Sequence, residues 1–199
     1  MWSSLNSCIA DRVACSARDG DVHGQPEKSS ENEIFRAARR RLLLGLAALP
    51  FAAVANPDPT AGLKRWGNGE FRRFGFLVYE ATLWAADDPQ RPPLALRLDY
   101  KRTIAGAAIA EASVKEMRAL GGDDVLLKRW GEQMTRLFPD VRTGDYIIGQ
   151  YRPEGASFYF NGRLLGSVDD AGFARAFFGI WLDARTSAPE LRAALLRRS

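Results

Sequence analysis

The sequence predicts an α+β domain in which an antiparallel or mixed sheet, built from hairpins, carries helices mainly on one face. Three observations lead there. Apolar residues alternate with period two in residues 71–100 and again in 145–166, whereas broad helical stripes run through 107–138 and 171–196. The strands are not spaced as regular βαβ units, which argues against a doubly wound nucleotide-binding sheet.

Phe71 to Ala85 reads as one long strand, with Phe74, Phe76 and Val78 on one side and Gly75, Leu77 and Tyr79 on the other. Asp87-Asp88-Pro89 is a turn signal. Leu94, Leu96, Leu98 and Tyr100 then share one face of a second strand that pairs with or flanks the first. Ala107 to Leu120 has helical composition, with Ile109, Ala112, Met117 and Leu120 on one side and Gly121-Gly122 as the stop. A second helix is capped by Asp123 or Asp124, carries Leu126, Leu127, Trp130, Met134, Leu137 and Phe138, and closes at Pro139.

Asp145–Arg152 and Ser157–Phe160 read as further strands, and Asn161-Gly162 provides the two left-handed positions of a type I′ hairpin turn into Arg163–Gly166. Asp169 or Asp170 caps a strongly apolar helix with Phe173, Phe177, Ile180 and Trp181 on one side. Ser187-Ala188-Pro189-Glu190 reads as a capping box before a last helix buried through Leu191, Leu195 and Leu196.

The 199 residues, 46% hydrophobic and 26% charged, suit one globular domain. Residues 36–55 have the layout of a secretory signal: a basic stretch with Arg36, Arg39, Arg40 and Arg41, an apolar run from Leu42 to Val54, and Ala53-Val54-Ala55 as the cleavage motif. The apolar run is shorter than the ~20 residues of a membrane span. The expectation is a periplasmic protein cleaved after Ala55, by the Sec or the twin-arginine route, with 56–199 as the single folded domain and no stable membrane span in the mature chain. Residues 1–35 lack sustained apolar periodicity and read as disordered or as the product of a start site placed too far upstream.

This organisation restricts the chemistry. Cys8, Cys15 and His23 all precede the cleavage site, so residues 56–199 contain neither Cys nor His. Thiol nucleophiles, disulfides, His-based triads and His or Cys zinc sites are excluded by inventory, and no metal or cofactor is expected. The formal charge of +4 is too small for a nucleic-acid footprint. Gly67-Asn68-Gly69 precedes a strand instead of opening a helix, so it is a poor phosphate loop.

Arg72, Arg73, Tyr79 and Glu80 are the candidate ligand-binding residues. An arginine beside an apolar strand orients a carboxylate through two parallel charge-assisted hydrogen bonds, and a tyrosine hydroxyl adds a third. Strand parity groups Arg73 with Tyr79 and Arg72 with Glu80, although a one-residue bulge would exchange the arginines. The bland alternative makes both arginines solvated charges, with Glu80 paired to one of them. Lys101-Arg102 reads as an exposed turn.

Gly67-x-Gly69-x-x-Arg72 with Phe74-Gly75-Phe76-Leu77-Val78-Tyr79-Glu80-Ala81-Thr82-Leu83-Trp84 resembles the opening of bacterial chalcone isomerase-like proteins. Phe158-Tyr159-Phe160-Asn161-Gly162-Arg163-x-Leu165-Gly166, Phe173 to Asp183 and Ser187-x-Pro189 are similar to the last third of that family. The resemblance implies an open-faced sandwich, a large antiparallel sheet covered on one face by a layer of helices, with a ligand cleft between the layers. In members that cyclise chalcones, an Arg, a Thr, a Tyr and an Asn surround the substrate. Arg72 matches the Arg, Tyr79 or a neighbour falls at the Thr position, Ile109 stands at the Tyr position and Glu116 at the Asn position. Ile109 donates nothing, and a charged Glu116 opposes a developing enolate. The expectation is therefore an exported non-catalytic binder of a small amphipathic carboxylate such as a fatty acid. An intramolecular lyase with altered residues and a structural protein whose cleft is filled by Phe and Trp are the alternatives.

Overall fold

A computed structural model describes residues 58–197. The element order is β1 Lys64–Arg73, β2 Phe76–Ala85, β3 Leu94–Tyr100, α1 Gly106–Ala119, α2 Asp124–Leu137, β4 Tyr146–Arg152, β5 Gly155–Phe160, β6 Arg163–Val168, α3 Ala171–Leu182 and α4 Pro189–Leu196. The fold is α+β. Its six strands form one antiparallel sheet in the order β1-β2-β3-β4-β5-β6, and the helical pair α1–α2 is inserted between β3 and β4.

Register explains which face is covered. Gly67, Leu83, Leu96, Gly149, Phe158 and Gly166 lie opposite one another across successive strands and share the helix-facing side. Leu94, Leu96, Leu98 and Tyr100 are all buried there, as the period-two pattern predicts. The glycines in this row leave room for helices. A Cβ on Gly67 would strike the carbonyl oxygens of Ala194 and Leu195 in α4, and one on Gly149 would meet the Phe178 ring at 3.1 Å. Gly67-Asn68-Gly69 is thus the seat of α4 on β1.

Packing on the helix side is largely aromatic. Phe177 contacts Phe138, Phe158, Phe173, Phe178 and Trp181 at ring-centroid distances of 5.1–6.1 Å, binding α3 to the sheet. Capping fixes the helices at their starts. Asp123 accepts from the Val125 and Leu126 amides, and Asp170 from the Phe173 amide. The first turn of α1 lacks a cap of its own; Asp140, after α2, accepts from the Gly106 amide at 2.9 Å and fills that role.

Two local expectations are corrected. Phe71–Ala85 is not one strand: Phe74 and Gly75 take left-handed conformations, with φ of 50° and 80°, and reverse the chain between β1 and β2. The apolar run masks that turn, because Phe is an uncommon residue at positive φ. The capping box also fails. Ala188 is the N-cap of α4 and makes no side-chain cap bond, while the Ser187 hydroxyl turns to Glu116 on α1. The export signal of residues 36–55, the proposed cleavage after Ala55 and the segment 1–35 lie outside the described residues. Among the described residues, no helix is long and apolar enough to cross a membrane.

Candidate functional site

A cavity of about 320 Å³ opens between the sheet and the helices. Phe71 and Arg73 of β1, Val78 and Tyr79 of β2, Leu98 and Tyr100 of β3, and Ile147 of β4 form its sheet wall. Ile109, Ala112, Ser113 and Glu116 of α1, Phe177, Ile180 and Trp181 of α3, and Ser187 ahead of α4 form its helical wall. The surface is overwhelmingly apolar, with few polar groups, the usual composition of a small-molecule site.

The β1–β2 hairpin decides which arginine belongs to this wall. Phe71 pairs with Tyr79, but Arg72 pairs with Leu77 and Arg73 with Phe76, so Val78 is an extra residue in a bulge. The bulge keeps Phe71, Arg73, Val78 and Tyr79 all along the cavity. Arg73 and Tyr79 therefore meet at the site through a hairpin and a bulge, not through parity within one strand. Arg73 is exposed at the rim, and among the described residues no carboxylate pairs with it.

Arg72 and Glu80 stand away from the cavity. Arg72 is held by Glu70 at 2.8 Å and by the Gly75 carbonyl, and Glu80 pairs with Lys101 at 2.9 Å on the uncovered side of the sheet. Both are surface charges, as the bland alternative has them, but Glu80 pairs with Lys101 and not with an arginine.

Tyr79 is a preset donor. Its hydroxyl oxygen accepts from the Trp181 indole at 3.0 Å, and its ring stacks on Phe71 at 4.9 Å. Burial pushes its pKa far above the ordinary phenol value; the Trp181 bond opposes the shift and the negative charge of Glu116 adds to it. Tyr100, 3% exposed, is pushed up for the same chief reason, with a smaller contribution from Tyr79. Both stay protonated at neutral pH. Since the Trp181 bond occupies an acceptor position of the Tyr79 oxygen, the phenolic proton remains available to a ligand.

Glu116 brings the opposite polarity. Its Oε2 accepts from the Ser187 hydroxyl at 2.6 Å, which joins the middle of α1 to the approach to α4. Ser113 donates to the Ile109 carbonyl at 2.8 Å and is thereby committed to its own helix. The groups facing a ligand are thus Arg73, Tyr79 and Tyr100 as donors and Glu116 as acceptor. Among the described residues, no group of three or more metal-ligating side chains could hold an ion.

The family signature of the chalcone isomerase-like proteins matches residues 67–197, most of the sheet and all four helices. The chain belongs to the chalcone isomerase-like family. A Haemophilus influenzae protein, described as uncharacterized, is 29% identical over 159 residues, spanning 78% of this chain and 77% of its own. The crystal structure of a fatty-acid binding protein from Arabidopsis thaliana superposes with a TM-score of 0.53 at 15% identity, covering 71% of this chain and 89% of that one. That likeness establishes a shared fold.

Ile109 and Glu116, which the resemblance sets at the Tyr and Asn positions, both line the cavity. Arg72, which the resemblance sets at the Arg position, does not line it, whereas its neighbour Arg73 does. Sequence reasoning placed Tyr100 and Trp181 in apolar stripes, where their hydroxyl and indole N–H carry no separate signal. The spacing of Ser187 to Glu190 fits a cap, yet its partner lies 71 residues away on another helix.

Proposed function

We propose that this chalcone isomerase-like chain binds a small amphipathic carboxylate, a fatty acid or an aryl acid, with its tail among Leu98, Ile109, Ile147 and Phe177. The observation that carries this reading is an open apolar cavity whose rim holds Arg73 without a carboxylate partner, beside the protonated Tyr79 hydroxyl. A ligand carboxylate takes charge-assisted bonds from Arg73 and a further bond from Tyr79, while the apolar wall favours the tail. The fatty-acid binding description of the Arabidopsis neighbour supports the same class. An open volume of about 320 Å³ weighs against a cleft filled by its own aromatic side chains.

Export belongs to the proposal and rests on the signal layout of residues 36–55. One experiment addresses ligand and export together: native mass spectrometry of the full-length gene product isolated from the periplasmic fraction, followed by denaturing extraction. The expected result is a polypeptide beginning at Asn56 with a bound monocarboxylic acid, which is lost in Arg73→Ala and retained in Arg72→Ala. A charge-assisted pair of this kind is worth about 1.5–3 kcal/mol, so Arg73→Ala weakens binding about tenfold or more. An empty protein that takes up no acid from a panel of fatty and aryl acids overturns the binding reading. A polypeptide retaining residues 1–55 in the cytoplasm overturns export.

One observation favours a second reading. Tyr79 on the sheet wall and Glu116 on the helical wall line the same cavity, so a conjugated carbonyl compound bound there meets a proton donor and a carboxylate base in one apolar site. This would be the family's lyase chemistry carried by different residues.

A further inference from the structure

We propose that the tip of the β1–β2 hairpin docks on an anionic lipid bilayer, seating Phe74 and Phe76 among the headgroups beside the mouth of the cavity. Phe74 is 88% exposed and Phe76 59%, although Phe74 forms the turn with Gly75 and Phe76 follows it, positions where polar residues or glycine would serve the fold at least as well. Phe74 also holds a φ of 50°, a left-handed conformation that is strained for a non-glycine residue. A bulky ring that is both strained and solvated does not stabilise the hairpin, and such outliers concentrate at functional surfaces.

The charges around the tip determine its partner. The Arg73 guanidinium lies 5.5 Å from the centre of the Phe74 ring, and that of Arg102 lies 4.5 Å from the Phe76 ring. The two neighbouring cations, Arg72 and Lys101, are balanced by Glu70 and Glu80. Among the described residues, Arg73 and Arg102 have no carboxylate partner, so the tip presents two aromatic rings with two uncompensated positive charges. Rings at headgroup depth with guanidinium groups against lipid phosphates form the ordinary pattern of interfacial anchoring. Two exposed rings at a hairpin tip offer too little area for the ~800 Å² per partner of a stable protein interface. Arg73 also lines the cavity, so docking would place the opening at the bilayer surface.

This inference does not depend on the ligand assignment, and its test needs no ligand. The protein is floated with vesicles of phosphatidylcholine alone and of phosphatidylcholine with phosphatidylglycerol, at rising salt. The expected result is binding to the anionic vesicles only, weakening as salt rises. Phe74→Asn with Phe76→Ser should reduce binding about tenfold or more, and Arg102→Gln should lower it further toward the neutral-vesicle level. Asn accepts the left-handed conformation, so the double variant should melt no lower than the parent and loss of binding cannot be ascribed to unfolding. The proposal is overturned if the parent does not float, if it binds neutral vesicles equally, or if the double variant binds like the parent. A concentration-dependent dimer that the double variant abolishes also overturns it, by making a second copy the occupant.

Discussion

The Tyr79 hydroxyl accepts a hydrogen bond from the Trp181 indole at 3.0 Å, tying β2 to α3 across the wall of the cavity. Tyr79→Phe removes that acceptor and the proton offered to a ligand in one step. The indole N–H is then left in an apolar site, which costs about 1–3 kcal/mol of stability. Ligand affinity should fall about tenfold or more, because a hydrogen bond to an ionised carboxylate is worth about 1.5–3 kcal/mol. Urea melts and ligand titrations of the same variant separate the two effects; unchanged affinity would mean that Tyr79 has a purely structural role.

Glu116 distinguishes the two functional readings. Glu116→Gln keeps an oxygen for the Ser187 hydroxyl, so the link between α1 and the approach to α4 survives while the negative charge is lost. If the cavity holds a carboxylate, removing a like charge from its wall should tighten binding several-fold, given the screened Coulomb energies of partly buried sites. If Glu116 is a base acting on a conjugated carbonyl, the same substitution should abolish turnover of a chalcone followed by its absorbance. Weaker acid binding by the variant would count against the carboxylate-binding proposal.

Acid should destabilise the fold well before neutral pH affects it. Asp170 titrates below its ordinary value, chiefly because the Phe173 amide bonds to it, with Trp130 and Arg129 adding to the effect against the cost of burial. Asp183 is lowered to about 2, first by its side-chain bond to Arg185 and then by the Arg185 amide. A carboxylate with a folded pKa below its unfolded value of about 3.9 contributes stability that is complete above that value and fades as pH falls through the folded pKa. The described residues contain no histidine, so no side chain with an ordinary pKa near 6.5 titrates in the neutral range. The melting temperature should stay flat between about pH 5.5 and 8 and drop below about pH 4. A midpoint near pH 6 would point to a titrating group not recognised in the structure.

Much of the fold was legible because it is written in local patterns. The Leu94–Tyr100 face, the Asp123 and Asp170 caps and the left-handed Asn161-Gly162 turn depend on neighbours within a few residues, and all are found. The β1–β2 turn was hidden by Phe74, whose apolar character continues the strand pattern through a reversal. The site was legible only in part, since its geometry depends on a bulge at Val78 and on contacts between distant elements. Parity arguments break at a bulge, and the pairs Tyr79–Trp181 and Glu116–Ser187 span 102 and 71 residues.

Gly67 and Gly69 illustrate how a motif can belong to packing. A Cβ at position 67 would collide with the backbone carbonyls of Ala194 and Leu195, which cannot move without displacing α4, whereas one at 69 would meet the Ala194 Cβ and the Leu191 Cδ1 at 2.9 Å. The Leu191 side chain has rotamers available and the Ala194 Cβ does not, but the overlap at 69 is shallower than the one with the carbonyls at 67. Gly67→Ala should therefore cost about 1–3 kcal/mol or more, and Gly69→Ala distinctly less. Asn68→Ala, at an exposed position between them, should stay within about 0.5 kcal/mol. Denaturant melts of the three variants give the order directly. A phosphate-binding loop would instead show little stability change in any of them and a common loss of anion binding, and that pattern would remove α4 seating as the reason for the glycines.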